Sequence, residues 1–412
     1  MFKSINLNKI TKTSCLAILL AGTLIGQPAI SGSSNSGPGN NNGHGNNCDG
    51  IDSSNPGNGS PNGKNANHNE TDPNVDDEGK GNCSTTSSST DSSINSQPIG
   101  ISKLYTKNES ATGTNLKNYN KNNNASSMKF GAGNNIKLTG FQVGNQDYSI
   151  LQLVDEARLQ RVDNALTSGE KHVFFLEANS NNSEVESSFI ETMEQAVRSE
   201  FINIGSDNVF ANAQEGNGNH NNIERVDVLI DDCFTVNEDY VSNAGFLLLE
   251  RGGNDPFKIA AITAVDADGN PSAFGNLLSV PKSTWGDSGI TMNTSVFQTE
   301  PHWIEPNLTA TPNGQNIQGV FVSIASLGIT AYQTIYGYAV LPNDVNANND
   351  LVGLSDFSTN TGSSSGEGGL DLISSGGLFI PEGNTVTEVF KKSPKALLAS
   401  NKNASNKKNY AD

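Results

Sequence analysis

The fold is decided around one apolar run, Ala244-Gly245-Phe246-Leu247-Leu248-Leu249-Glu250, which ends at the turn-forming segment Arg251-Gly252-Gly253-Asn254. A short apolar run bounded by turn residues is typical of a β-strand. The next apolar run, Phe257–Val265, leads into Asp266-Ala267-Asp268-Gly269-Asn270, whose residue types predict a hairpin turn. Both runs therefore predict strands.

Similar strand signals recur along the chain at Lys171–Glu177, Ile223–Ile230, Gly319–Ala325 and Thr334–Leu341. Short β-rich segments at close spacing favour a mainly β fold, either a β-sandwich or a jelly roll. The stretch 151–167 suits either a helix or a strand.

One packed helix is predicted. Ser183 and Glu186 have the spacing of a capping box at a helix N-terminus. Beyond them, apolar residues repeat at helical spacing. They are Phe189, Met193, Ala196 and Val197.

The N-terminus predicts export. A basic segment with three lysines precedes an apolar run over Cys15–Gly26, which is shorter than the roughly 20 residues of a membrane span. Small residues at Ala29 and Ser31 fit cleavage before Gly32. Residues 1–31 are therefore predicted to be a signal peptide, and the protein is expected to be secreted, at the cell surface or beyond it. No later stretch is apolar enough to span a membrane, so the mature chain is expected to be soluble.

Composition divides the remainder of the chain. Residues 32–135 are rich in Gly, Asn and Ser, and they predict a disordered linker. Residues 136–390 hold the strand signals and predict the β domain, as one unit or two subdomains. Residues 391–412 predict a basic, disordered tail. The formal net charge of −18 argues against a nucleic-acid partner, because the phosphates would repel the chain.

Cysteines offer one candidate disulfide. In an exported chain, Cys48 and Cys83 can close a bridge across the linker, or both can stay unpaired. Cys233 is the cysteine left over in either case.

Two kinds of segment resemble a known class of protein. Gly43–Glu78 resembles the Gly/Asn/Asp-rich leader segments of large secreted bacterial surface proteins. Further runs are similar to a module of such proteins, including adhesin-like ones. These runs are Ser206–Asn212, Asn222–Asp227, Ala244–Phe246, Asn254–Ala264, Ile335–Tyr338, Asn343–Val345 and Gly368–Ile373. The resemblance implies a location outside the cell and no particular chemistry.

One string has the form of a catalytic motif. Gly286-Asp287-Ser288-Gly289 matches the residues around the nucleophile of chymotrypsin-like proteases, with His172 as the candidate base and Asp227 or a following aspartate as its orienter. The small residues that such proteases place before the histidine are missing, and Ile290 stands where they have another Gly. A Gly-Asp-Ser-Gly turn arises easily in a chain this rich in those residues, and we favour a non-enzymatic role.

Calcium is the one cofactor that the sequence suggests. Asp344, Asn346, Asn348 and Asp350 alternate, so that successive side-chain oxygens can face one hard cation. The Gly and Glu that an EF-hand requires are absent. A solvated Asn/Asp loop is the alternative.

The sequence therefore predicts a secreted bacterial surface or extracellular-matrix protein that binds a polymer, such as a surface polysaccharide, or a neighbouring cell. A secreted hydrolase, serine-type or glycan-directed, is the alternative from another class. A structural component of a surface layer is the third.

Overall fold

The computed structural model describes residues 97–384 except for short gaps at 114, 122–123, 162–171, 180–183, 213–220, 300–306, 311–313, 359–360, 363–367 and 374–376. All the described residues belong to one compact unit. The predicted signal peptide, most of the predicted linker and the predicted basic tail lie outside the described residues.

Within the described part the chain forms 22 strands. They are β1 (Ile99–Gly100), β2 (Lys103–Ser110), β3 (Asn115–Lys121), β4 (Asn124–Phe130), β5 (Asn134–Val143), β6 (Gln146–Gln152), β7 (Val154–Gln160), β8 (His172–Glu177), β9 (Glu184–Val185), β10 (Ile204–Ser206), β11 (Arg225–Thr235), β12 (Gly245–Arg251), β13 (Phe257–Val265), β14 (Pro271–Phe274), β15 (Leu278–Val280), β16 (Gly286–Met292), β17 (Thr294–Thr299), β18 (Asn307–Ala310), β19 (Gln315–Ser323), β20 (Thr334–Leu341), β21 (Leu372–Ile373) and β22 (Leu378–Pro381). One α-helix, α1 (Met193–Arg198), and three short 3-10 turns accompany them.

The strands form three sheets. The largest has 13 strands in the order β18-β17-β8-β10-β21-β12-β22-β6-β5-β2, and β19 pairs with β12 and carries β1 and β16. The second has the order β14-β13-β20-β11-β7, with β15 also on β13. A third, small sheet joins β3, β4 and β9.

β12 lies at the branch point of the largest sheet and is buried along its whole length. Phe246 and Leu248 point into one hydrophobic core, and Leu247 and Leu249 point into another. Successive side chains of a strand face opposite sides, so a strand covered on both faces needs a continuous apolar run. That requirement explains the Phe-Leu-Leu-Leu sequence.

The principal core lies between the largest and the second sheet. The rings of Phe246 on β12 and Tyr338 on β20 are 4.5 Å apart there. The predicted mainly β, sandwich-like fold with one helix is therefore confirmed, with sheets that curl into a half-barrel.

A second core covers the other face of the largest sheet. Phe141 on β5 stacks on Tyr148 of β6, with ring centroids 4.9 Å apart, and Phe321 and Phe379 pack against them. A third cluster forms where the segment after β20 covers the second sheet. Its members from that segment are Val345, Leu354 and Phe357.

The ordered domain begins earlier than the sequence predicted. Four strands, β1 to β4, lie before Ile136, so the predicted end of the linker at residue 135 is wrong. The reason is visible in β2, where Leu104 is the one fully buried residue. A strand held mainly by backbone pairing to β5 leaves little hydrophobic pattern to recognise.

The helix is shorter than predicted and begins later. Its N-cap is Thr192, whose Oγ1 accepts a hydrogen bond from the backbone N–H of Gln195 at 3.2 Å. Glu184 and Val185 instead form β9, which pairs in parallel with β4. Ser183 lies outside the described residues, but no helix begins at Glu186, so the predicted capping box is wrong. The pairing with β4 holds Glu184 and Val185 in an extended conformation.

The ambiguous stretch 151–167 includes a strand, since β7 pairs with β11 over residues 154–160. Within the described ranges, no helix has the length and hydropathy that crossing a membrane requires.

Candidate functional site

A set of polar side chains projects from the outer face of β2, β5 and β6. Lys103 lies opposite Gln142, which lies opposite Asp147 on the next strand. The Tyr105 hydroxyl donates to Oδ1 of Asp147 at 2.7 Å, and Nε2 of Gln142 donates to the same oxygen at 2.9 Å. The ammonium nitrogen of Lys103 is 4.8 Å from the centre of the Tyr105 ring. We call these four residues the outer patch.

The outer patch rests on a rigid support. Leu104, Phe141 and Tyr148 alternate with its residues along the same strands and are buried in the second core. Gly140 allows β5 and β6 to approach closely, since a Cβ at that position would lie 2.4 Å from the carbonyl oxygen of Tyr148. Fixed strands therefore present an aromatic ring, an ammonium, an amide and a carboxylate together.

The electrostatics of the outer patch follow from one contact. The hydrogen bond to Asp147 raises the pKa of Tyr105, because an ionised phenol beside a carboxylate would meet a like charge. The tyrosine therefore stays a neutral donor. Toward a hydroxyl-rich ligand, Lys103 and the second Nε2 hydrogen of Gln142 supply donors, whereas Asp147 and the lone pairs of the Tyr105 oxygen supply acceptors.

A second polar group is buried at the end of β12. Nη2 of Arg251 donates to Oδ1 of Asp207 at 2.7 Å and to Oδ2 of Asp371 at 2.5 Å. Glu250 and Asp255 lie beside this ion pair and are also buried. We call these five residues the acid cluster.

Protons balance the charge of the acid cluster. Burial, together with the carboxylate of Asp371, raises the pKa of Glu250 to about 9, so this group is a neutral carboxylic acid at pH 7. Burial and Asp207 raise the pKa of Asp371 to about 8, against the opposing effect of Arg251. Burial also raises the pKa of Asp255. The cluster can therefore hold and release protons near neutral pH.

The acid cluster was not predicted from the sequence. Its members come from four separate places in the chain, and three of them, Asp207, Asp255 and Asp371, lie in runs that carry the resemblance to surface-protein modules. The available signal was Glu250-Arg251, an acid–base pair that directly follows a fully apolar run. Ionisable residues rarely follow such a run into a core unless they are paired.

The structure does not bring the candidate catalytic residues together. Ser288 lies on β16, where its Oγ accepts from the backbone N–H of Ile290 at 3.1 Å. His172 lies on β8, which pairs with β10 and β17. Asp227 lies on β11 in the second sheet and accepts from Nε and Nη2 of Arg225 at 2.6 and 2.9 Å.

The four residues of the calcium prediction divide into two groups. Oδ1 of Asn346 accepts from the Asn348 amide at 3.0 Å, and Oδ1 of Asp350 accepts from the Val352 amide at 3.1 Å. These two side chains thus fold their own loop, and Asn348 is exposed. Asp344 instead accepts a hydrogen bond at Oδ2 from Oγ1 of Thr361 at 2.7 Å. Within the described part, no group of three or more His, Cys, Asp or Glu residues is arranged to hold a metal.

Cys233, on β11, is disulfide-bonded, and its partner is outside the described residues. The expectation that Cys233 is left over is therefore wrong. An intervening sequence of any length can separate the two halves of a disulfide, so spacing alone did not reveal this one. The predicted bridge between Cys48 and Cys83 lies outside the described residues.

Comparisons with known proteins identify no family. No protein-family model matches the chain, and no curated protein matches it. Among solved structures, the crystal structure of the infectious bursal disease virus VP2 subviral particle is 12% identical and covers 76% of this chain and 88% of its own. Its TM-score of 0.07 is too low for the likeness to bear on fold or function.

Proposed function

We propose that this protein is an exported bacterial surface or extracellular-matrix protein, adhesin-like and non-catalytic, that binds a polysaccharide through the outer patch. The basic and apolar N-terminus and the resemblance of several runs to surface-protein modules support the export. The outer patch supports the ligand class.

The observation that carries the proposal is the hydrogen-bonded set of Tyr105, Gln142 and Asp147 on one outward face. A tyrosine offers a large amphipathic surface at a small entropic cost, because it has few rotatable bonds. The carboxylate and amide beside it match the donors and acceptors of sugar hydroxyls. Their mutual hydrogen bonds hold them in place before a ligand arrives, which reduces the cost of ordering them on binding.

The test is a binding measurement with the purified exported chain and with isolated cell-surface polysaccharides. Tyr105→Ala and Asp147→Ala are expected to weaken binding about tenfold, or about 1.4 kcal/mol. Asn108→Ala is the matched control, because Asn108 is exposed on the same strand but outside the patch. Equal binding by wild type and Tyr105→Ala would contradict the proposed ligand site.

The proposed location at the cell surface is tested by a separate measurement. Protease added to intact cells is expected to remove the protein, since a surface protein is accessible from outside. A cell-retained pool that resists protease would count against the surface assignment. If the pure chain hydrolyses a surface polymer and Ser288→Ala abolishes that activity, the hydrolase alternative replaces the binding protein.

A further inference from the structure

Glu224, which immediately precedes β11, is a buried carboxyl group with one unused oxygen. Glu224 as a whole is 1% exposed. Oε1 accepts a hydrogen bond from Nδ2 of Asn212 at 2.9 Å. Oε2 is buried and has no hydrogen-bond partner among the described residues. An unsatisfied buried carboxylate oxygen is costly, so it calls for a ligand.

Asp344 likewise has one hydrogen-bonded carboxylate oxygen and one without a partner among the described residues. Its Oδ2 is bonded to Thr361, whereas its Oδ1 is buried and lacks a partner in the described ranges. Burial raises the pKa of Glu224 to about 7, and Asp344 adds to this rise while the bond from Asn212 opposes it.

One asparagine and one threonine hold the two carboxyl groups in a single frame. Nδ2 of Asn212 donates to Glu224 and, at 2.9 Å, to the carbonyl oxygen of Ser358. Oδ1 of Asn212 accepts from the backbone N–H of Thr361, whose hydroxyl donates to Asp344. The frame uses one oxygen of each carboxyl group and leaves the other oxygen of each open.

Among the described residues, the nearby cations are bonded to other groups. The ammonium of Lys258 donates to the carbonyl oxygen of Val345, the residue after Asp344. The nearest guanidinium in sequence, that of Arg225, is bonded to Asp227 and to the carbonyl oxygen of Leu351. No ion pair of the described part includes Glu224 or Asp344; the pairs in that part involve other carboxylates. Two carboxylate oxygens that are buried without a hydrogen-bond partner, as here, are stabilised by a bound proton or a bound cation.

We propose that Oε2 of Glu224 and Oδ1 of Asp344 bind a calcium ion. Both ligands are hard oxygens, and calcium accepts an irregular set completed by water and carbonyl oxygens. Magnesium demands octahedral geometry and gives up its water reluctantly, so it fits a buried pair less well. The choice of calcium rests on the proposed export, because the external medium supplies calcium at millimolar concentration. The site shares Asp344 with the alternating loop but does not use Asn346, Asn348 or Asp350.

The experiment uses the whole purified chain, stripped with a chelator and titrated with calcium chloride by calorimetry and by thermal unfolding. Calcium is expected to bind and to raise the Tm by about 5 °C at saturation, and magnesium is expected to bind more weakly. Glu224→Gln and Asp344→Asn are each expected to weaken calcium binding at least tenfold. Asp350→Asn is the matched control and is expected to bind like the wild type.

Unfolding measured in the absence of calcium distinguishes a variant that has lost the calcium site from one that is misfolded. Glu224→Gln is expected to be at least as stable as the wild type at about pH 8, because it removes an uncompensated charge. No calcium binding by the wild type, or loss of binding in Asp350→Asn but not in Glu224→Gln, would overturn the proposal. Because calcium binding is measured on pure protein without polysaccharide, its outcome is independent of the tests of export and of the outer patch.

Discussion

At the scale of single residues, the buried carboxyl group of Glu250 makes the free energy of unfolding depend on pH. Its folded pKa of about 9 lies above its ordinary value of 4.5, so the native state binds a proton that the unfolded state has released. Stability from this group is complete below about pH 4.5 and is lost as the pH rises through about 9. Asp207, Asp255 and Asp371 face the same space and also have raised pKa values, and Arg251 is the cation among them.

We predict that Glu250→Gln flattens the pH dependence of stability. Across the window between the two pKa values, one such group changes the free energy of unfolding by up to about 1.4 kcal/mol per pH unit. Urea unfolding at about pH 5, 7 and 9 measures the slope. The exposed Glu191→Gln is the control and should keep the wild-type slope. Equal slopes in all three proteins would show that Glu250 does not titrate in this window.

We also predict that Arg251→Met is strongly destabilising. It leaves Asp207 and Asp371 buried without their guanidinium, and breaking a buried pair in this way costs about 3–5 kcal/mol. Arg158→Met removes a more exposed ion pair, with Glu156, and is expected to cost less than about 1 kcal/mol. Denaturant midpoints of the two variants at neutral pH test the difference, and similar losses would refute it.

At the scale of elements, β20 depends on a glycine. Gly337 has a φ of 144°, and a Cβ there would lie 2.0 Å from the carbonyl oxygen of Val228 on β11. Any side chain would push apart two paired strands of the second sheet.

We predict that Gly337→Ala costs about 3 kcal/mol or more, from steric overlap and an unfavourable φ. Gly144→Ala is the matched control, because it has a φ of 57° and nothing within 4 Å of the added Cβ. Its cost is expected to be about 1–2 kcal/mol, from the left-handed backbone alone. Urea unfolding distinguishes the two costs, and an equal loss would mean that the contact with Val228 relaxes freely.

Element boundaries show where sequence patterns succeed. The predicted strands Phe257–Val265 and Thr334–Leu341 coincide with β13 and β20. Both lie in the interior of the second sheet, where burial demands apolar residues over the whole strand. β2 and β9 were missed because a polar edge strand and a two-residue pairing depend on their neighbours rather than on their own hydrophobicity.

At the scale of the whole molecule, a disulfide joins two distant parts of the chain. Cys233 is disulfide-bonded, and the other cysteines of the chain are Cys15, Cys48 and Cys83. Removal of a signal peptide would remove Cys15. We therefore predict that the exported chain contains a disulfide between Cys233 and either Cys48 or Cys83.

Mass spectrometry of an unreduced digest tests this prediction. The expected result is one cross-linked peptide pair that contains Cys233, together with one free thiol elsewhere. A pair that joins Cys48 to Cys83, with Cys233 free, would contradict it. The reduced digest is the control, because the cross-linked pair should disappear from it.

The sequence by itself determined the strand-rich class of this protein and the positions of several long buried strands, because apolar runs and turn residues act over a few neighbouring positions. Only the tertiary structure decided the polar sites. Arg251 meets Asp207 and Asp371 across separations of 44 and 120 residues, and Glu224 is linked to Asp344 through Asn212 and Thr361. Such contacts depend on which strands become neighbours in a sheet, and long-range pairing leaves no periodic signal along the chain.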